Sequence, residues 1–254
     1  MTISPLISVV LPAYNEAEAI TKSLGKIEEY LNSQEYSWEI IIANDGSSDA
    51  TASRVTEFIA DKPAYQLLNL AHRGKSAAVC SGVAAASGEY ILVTDVDLAV
   101  PISELKRFMH WAVEEKCDVI SASREGKGAT RVGEPYYRHF VGRIFNLLIQ
   151  ILILPGISDT QCGYKLFSKK AVAAIFPRLL VYGRDSPKVD KPFFGAFEVE
   201  VLFLARKLRL KVKELPVIWT FSPTRRFNFV GNSWRMFRDI VKIRILYLKR
   251  LYKI

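Results

Sequence analysis

Asp95 and Asp97 stand two residues apart at the end of the apolar run Tyr90–Thr94. In extended chain that spacing turns both carboxylates to the same side. Two carboxylates on one side suit a hard divalent cation, Mg²⁺ or Mn²⁺, with a diphosphate completing the shell. A bare D-x-D also recurs in solvated turns, so its weight depends on what surrounds it. Two further polar clusters follow apolar runs in the same way, Pro12-Ala13-Tyr14-Asn15-Glu16 and Asn44-Asp45-Gly46-Ser47-Ser48-Asp49. Asp45-Gly46 reads as a turn opening a helix, capped by Ser47, Ser48 or Asp49. The Asp45 carboxylate could equally hydrogen-bond a uracil or guanine base, with Tyr14 stacked on that base and Glu16 holding the ribose. The two uses are compatible.

The segment His72-Arg73-Gly74-Lys75-Ser76 resembles the end of a phosphate-binding Walker A loop, but position 69, which would have to be glycine, is Asn69. The nucleoside-triphosphatase reading therefore fails. Arg73 and Lys75 remain diphosphate contacts at a helix N-terminus, where backbone amides favour anions, or else form an exposed basic turn. His72, His110 and His139 show no metal spacing and read as incidental. No serine, histidine and acid fall into a nucleophile arrangement.

The elements that must position these groups alternate over the first 125 residues. Strand-like runs are Ile7–Leu11, Trp38–Ala43, Tyr65–Leu70, Tyr90–Thr94 and Val119–Ser123. Helical stretches lie between them at Glu16–Asn32, Asp49–Ala60, Lys75–Ala86 and Ser103–Glu115. This order predicts an α/β fold, a mostly parallel sheet flanked by helices. Ligands of such sheets bind beyond the carboxyl ends of the strands, where all three polar clusters fall. The second half predicts a long helix over Tyr136–Leu154, a strand-like segment at Asp159–Phe167, a mobile loop at 182–195 and a closing amphipathic helix.

A chain of 254 residues with half its residues hydrophobic can bury a real core. That profile excludes general disorder and a polytopic membrane protein. Three scattered cysteines, Cys80, Cys117 and Cys162, form neither a disulfide framework nor a zinc site and point to a reducing compartment. Charge divides the chain at 222/223. Residues 223–254 carry nine Lys/Arg against Asp239, a net +8, which leaves +1 for the remainder of a chain whose total is +9. A domain over 1–222 and a basic amphipathic tail over 223–254 are the expected organisation. On a helical wheel Arg235, Arg238, Lys242, Lys249 and Lys253 share an arc of roughly 60°, a stripe suited to an anionic membrane surface. No signal peptide is expected. The longest apolar run, Ile144–Ile157, is broken by Asn146, Gln150 and Pro155 and falls short of a transmembrane span. Peripheral contact with the cytoplasmic face of a membrane is the expectation.

These motifs together resemble glycosyltransferase family 2, in particular its dolichyl-phosphate glucosyl- and mannosyltransferases, with the glucosyl branch nearer. The strings that carry the likeness are VVLPAYNEAEAI (9–20), NDGSSDAT (44–51), RGK (73–75), GEYILVTDVDLAVP (88–101), SASR (121–124), DTQCGYKLF (159–167), FEVEVLFLA (197–205) and ELPVIW (214–219). The resemblance implies a GT-A, Rossmann-like domain that uses a nucleotide sugar and Mg²⁺ or Mn²⁺. It implies that Pro12, Tyr14, Glu16 and Asp45 contact the nucleotide and that Asp95 and Asp97 hold the metal. Arg124 and Arg138 would contact phosphates of donor or acceptor. Asn44 stands where many members carry a first aspartate, and Ala99 where mannosyl members place a metal-contacting glutamine. Glu198 replaces a usual aspartate.

The reaction expected is a single inverting displacement by a polyprenyl or dolichyl phosphate on a nucleotide sugar, UDP-glucose first, with GDP-mannose and UDP-N-acetylglucosamine behind. The candidate catalytic residues are Asp97, Arg124 and Asp159. Should the acceptor instead be a saccharide hydroxyl, Asp159 or Glu198 would become the general base. A nucleic-acid-binding module is the reading from another class. The confinement of positive charge to one helix, without interleaved aromatics, argues against it. A catalytically dead nucleotide-binding scaffold is a third.

Overall fold

The computed structural model describes residues 6–183, 195–222 and 229–254, with only the backbone of 229–233. The expected mobile loop at 182–195 falls almost wholly outside the described residues. Seven strands form one sheet: β1 (Ile7–Ala13), β2 (Trp38–Asn44), β3 (Tyr65–Asn69), β4 (Tyr90–Val93), β5 (Val119–Ser123), β7 (Lys165–Ser168) and β8 (Val212–Pro216). Their order is β3-β2-β1-β4-β7-β5-β8. Only β7 runs antiparallel, wedged between β4 and β5 with Leu92 opposite Leu166 and Ile120 opposite Leu166. The mostly parallel α/β expectation therefore holds. A separate two-stranded sheet pairs β6 (Thr130–Val132) with β9 (Ile218–Thr220), which the sequence did not announce.

The central strands are apolar at consecutive positions because both faces are buried. Ile7, Val9 and Leu11 of β1 and Ile40 and Ile42 of β2 face one layer. It includes α1 (Ile20–Asn32), α2 (Thr51–Ile59) and α4 (Leu105–Val113). Val10 and Ile41 face the other core, which includes α3 (Lys75–Ala85), α6 (Lys169–Ile175), α7 (Phe197–Lys207) and α8 (Phe229–Leu248). Each fully buried Ile or Val contributes about 1.5–3 kcal/mol. In α1 the buried Ile20, Leu24, Ile27 and Leu31 recur at helical spacing. The three cysteines are buried free thiols.

Two helix starts differ from expectation for one reason. Glu16 to Ala19 do not join α1, because the amides of Asn15, Glu16 and Ala17 donate to Ser47 Oγ (2.9 Å), Thr51 Oγ1 (2.8 Å) and Asp49 Oδ2 (3.2 Å). Asp49 Oδ1 in turn accepts from the amide of Thr51 at 2.9 Å, so α2 begins at Thr51. The expected strand at Asp159–Phe167 shortens to β7 because side chains satisfy its first amides. Glu214 accepts from Ser158 and Asp159, and Asp159 accepts from Gln161.

Helix α5 (Tyr136–Leu152) buries only Asn146 and Ile149. Its Tyr137, Phe140, Ile144, Leu147, Leu148 and Ile151 are exposed, a continuous apolar stripe at helical spacing. Asn146 anchors the helix to the 157–160 turn, donating to the carbonyls of Ile157 (3.1 Å) and Ser158 (2.7 Å). Helix α8 lies beside α5 and α7. It buries Met236, Ile240 and Ile243 in the common core, while Arg235, Arg238 and Lys242 are exposed. The helix ends at Leu248. Lys249 and Lys253 consequently lie beyond it, and the expected five-residue stripe is reduced to its first three members. Among the described residues no helix is long and apolar enough to cross a membrane.

Candidate active site

All the polar clusters meet at one edge, the carboxyl ends of β1, β2, β4 and β5, where the antiparallel β7 begins. At one end of this edge, Asp45 follows β2 and is almost fully buried. Its Oδ1 accepts from the Arg73 amide at 2.8 Å and its Oδ2 from the Gly74 amide at 2.9 Å. His72 Nδ1 lies 2.8 Å from the same Oδ2, and the His72 ring stacks on Tyr14 with centroids 4.1 Å apart and planes 9° from parallel. His72 thus packs within the candidate site, between Asp45 and Tyr14, where the sequence spacing offers it no role. Sequence spacing gave no sign of it, because its partners lie 27 and 58 positions away. Gly46 adopts φ +67°, and a Cβ there would fall 2.8 Å from the His72 amide nitrogen. Only glycine lets the 45–48 turn approach the 72–74 turn so closely. Asn44 is built in as an amide: it donates to Asn69 Oδ1 at 2.8 Å and accepts from the Ser47 amide at 3.2 Å. Pro12, at the end of β1, pairs in register with Ala43, which brings Tyr14 and Glu16 alongside the 44–49 turn.

At the centre, Asp95 follows β4 and pairs with Lys75, the first residue of α3, with Nζ 2.6 Å from Oδ1. Glu198, in the first turn of α7, lies 3.9 Å from the same ammonium. Burial alone would lower the Lys75 ammonium, but the Asp95 and Glu198 charges outweigh it and hold it above its ordinary range. Asp97 Oδ1 accepts from the Ala99 amide at 3.1 Å. Although Asp97 reaches solvent, its surroundings desolvate it, and that effect, with the Asp95 charge, pushes its carboxyl up. Two carboxylates that crowd one another in this way favour a shared cation. Gly163 closes the other side: a Cβ there would fall 2.2 Å from Asp95 Oδ2. A small cleft beside the pair is lined by Lys75, Gly163, Lys165 and Glu198, with Val79, Val93, Phe167, Phe197 and Val201 as its apolar wall. Lys165 donates to the Cys162 carbonyl, and burial pulls its ammonium down.

At the third position Arg124, after β5, meets Asp159. Burial would raise the Asp159 carboxyl, but the Arg124 charge and hydrogen bonds hold it well below the carboxylate range. Asp159 is nearly fully buried and satisfied by Arg124 and by the amides of Arg124 and Gln161. It braces Arg124 with both oxygens engaged, a geometry that does not favour the general-base role expected of it only for a saccharide acceptor. Trp219 covers the guanidinium at 5.2 Å. Arg138, on the first turn of α5, lies over Phe221 at 4.9 Å and 3.8 Å from Glu134. Desolvation first, and then the Arg124 charge, lowers its guanidinium from the ordinary value despite Glu134.

A mostly parallel seven-stranded sheet flanked by helices, with the polar clusters gathered beyond the carboxyl ends of its strands, is the GT-A fold of glycosyltransferase domains. The glycosyl transferase family 2 model matches residues 8–176, and the chain belongs to that family. A dolichyl-phosphate beta-glucosyltransferase of Dictyostelium discoideum is 33% identical, over 98% of this chain and 76% of that protein. The human protein of that name is 26% identical, over 98% of this chain and 78% of its own. Among solved structures, glucosyl-3-phosphoglycerate synthase from Mycobacterium tuberculosis with Mn²⁺ and UDP-glucose shares the fold. Its TM-score is 0.64 at 18% identity, covering 94% of this chain and 79% of that one. The mannosyltransferase PcManGT from Pyrobaculum calidifontis, in complex with GDP-Man and Mn²⁺, has a TM-score of 0.60 at 18% identity, covering 95% of this chain and 65% of that one.

Proposed function

We propose that this chain transfers glucose from UDP-glucose to a polyprenyl or dolichyl phosphate at a membrane surface, with inversion. The observation that carries the reading is that the Asp95–Lys75 pair and the Asp45–His72–Tyr14 group share one sheet edge with the start of α5, whose His139 and Arg143 reach Glu125 just after β5 and whose apolar stripe is exposed. The relatives named for dolichyl-phosphate glucosyl transfer support the sugar and the lipid.

In this reading Tyr14, His72 and Asp45 form the wall against which the base rests, with Pro12 and Glu16 beside the ribose. Arg73 and Lys75, at the N-terminus of α3, take the diphosphate. Asp95 and Asp97 are the residues that would hold a divalent ion, which would neutralise charge growing on the leaving nucleoside diphosphate. Arg124 and Arg138 face the acceptor phosphate. A phosphate monoester, with a second pKa of about 6, is already anionic at neutral pH and needs orientation more than a base. That Asp159 is committed to Arg124 fits such an acceptor. A saccharide acceptor would have to lean on Glu198 instead.

The α5 stripe receives the isoprenoid chain. Trp234, Ile245, Leu248 and Leu251, all exposed, accompany the basic residues of α8 at the surface and provide peripheral attachment to the cytoplasmic leaflet. The test is incubation with Mn²⁺, a polyprenyl phosphate and radiolabelled UDP-glucose, GDP-mannose or UDP-N-acetylglucosamine, followed by lipid extraction. Label from UDP-glucose in the organic phase is expected. Label confined to water-soluble product, or entering lipid only from another donor, would overturn the reading.

A further inference from the structure

We propose that Lys75 is a resident counter-ion that blocks the acid pair against a divalent ion until a donor diphosphate arrives, so that metal and donor bind as one linked event. This rests on the metal reading of Asp95 and Asp97 above. The Lys75 ammonium lies 2.6 Å from Asp95 Oδ1, where it takes the charge a metal would otherwise use. Gly163 lies on the other side of this carboxylate, where a Cβ would fall 2.2 Å from Oδ2. Asp97 spends one oxygen on the Ala99 amide. Among the described residues no third His, Cys, Asp or Glu joins them in a metal-binding group. A divalent ion approaching alone thus meets one engaged carboxylate, one half-engaged carboxylate and a repelling ammonium.

A diphosphate changes that balance. Lys75 opens α3, and its side chain is about one-third exposed, at 35%. Its four-carbon stem can swing to a new anion, and the amides at the helix start favour one at that place. Once a diphosphate takes the ammonium, Asp95 is released. The same phosphates then supply the oxygens the metal lacks. Glu198, 3.9 Å from the ammonium, is a second acid beside it in the cleft. Linkage requires that the donor tighten metal binding by the same factor as the metal tightens donor binding.

The experiment measures Mn²⁺ binding to the full chain by titration calorimetry or electron paramagnetic resonance, alone and with saturating UDP. Wild type, Lys75→Met, Lys75→Arg and Asp97→Ala are compared, with thermal melts to establish folding. Wild type should bind Mn²⁺ weakly alone and at least about tenfold more tightly with UDP, within the usual range of coupling. Lys75→Met should bind Mn²⁺ alone about tenfold more tightly than wild type, and the gain from UDP should shrink by a similar factor. Lys75→Arg keeps the charge and should keep weak binding of Mn²⁺ alone. If Mn²⁺ binds with UDP and Asp97→Ala abolishes it, yet Lys75→Met binds Mn²⁺ alone no more tightly than wild type, the counter-ion role is wrong and the metal site stands. If Asp97→Ala leaves Mn²⁺ binding intact, or no variant binds Mn²⁺ with UDP, the metal reading itself fails, and this proposal with it. A Lys75→Met chain that does not fold passes the decision to Lys75→Gln, read in the same way.

Discussion

Arg124 and Asp159 meet side on: Nε lies 2.7 Å from Oδ2 and Nη2 lies 2.9 Å from Oδ1, while the Arg124 amide donates to Oδ2 at 2.9 Å. The pair joins the end of β5 to the turn that leads into β7. Removing either partner leaves the other charge buried. Asp159→Ala should cost about 3–5 kcal/mol, and Arg124→Lys should not restore the forked geometry. Urea denaturation measures both. The sign with pH follows from the depressed carboxyl. The pair's contribution is complete above the unfolded aspartate value of about 3.9 and fades only as pH falls through the lower folded value. Stability between pH 5 and pH 8 should therefore not vary on its account.

Asp97→Ala should reduce transfer by at least about 10²–10³, the usual consequence of losing one charge-stabilising interaction, with an unchanged melting curve. Chelation by EDTA should abolish turnover, and Mn²⁺ or Mg²⁺ should restore it. Near-normal turnover of the variant would remove Asp97 from the chemistry.

His72 carries a further expectation. Its Nε2 is buried without a hydrogen-bond partner among the described residues, an arrangement that calls for an explanation. A base seated near Tyr14 would supply the partner. His72→Phe preserves the stack on Tyr14 but removes both ring nitrogens, and should weaken UDP binding by about tenfold, the value of one lost hydrogen bond to a buried group. Calorimetric titration with UDP gives the answer. Equal affinity would mean that the base lies elsewhere.

Glu200 ties the C-terminus to the core. Its carboxylate accepts from the amides of Leu180, Val181 and Tyr182 and from the Tyr252 hydroxyl at 2.7 Å. Glu200→Gln would turn an NH₂ toward these donors and should destabilise the chain by about 1–3 kcal/mol, read as a lowered melting temperature. An unchanged melt would show that the network contributes nothing net.

Vesicle pelleting tests the surface formed by α5 and α8. Replacing Arg235, Arg238 and Lys242 with glutamine should weaken binding to anionic vesicles by about two orders of magnitude, at about 1 kcal/mol per cation, and wild-type binding should fall with salt. Leu147→Ser with Ile151→Ser should weaken binding at every salt concentration, because it removes apolar contact rather than charge. Salt-independent binding of wild type would contradict the basic surface.

The order of strands and helices was legible in the sequence because apolar periodicity is a local property. Ile7–Leu11 and Trp38–Ala43 become strands, and Ile20, Leu24, Ile27 and Leu31 share a face, wherever the rest of the chain lies. The acid pair at 95 and 97, the 44–49 turn and the basic 73–75 segment were legible for the same reason, since each motif sits within a few residues. Tertiary structure alone decided how these groups are used. That His72 stacks on Tyr14, that Asp159 is committed to Arg124 and that Lys75 already occupies Asp95 depend on contacts between segments 20 to 60 residues apart. Such pairings arise only when strands align in register and their carboxyl ends converge. The reversed β7 and the inward-packed face of α8 were likewise beyond the sequence. Strand direction and the choice of buried face are set by what lies across the core, and no local pattern encodes that.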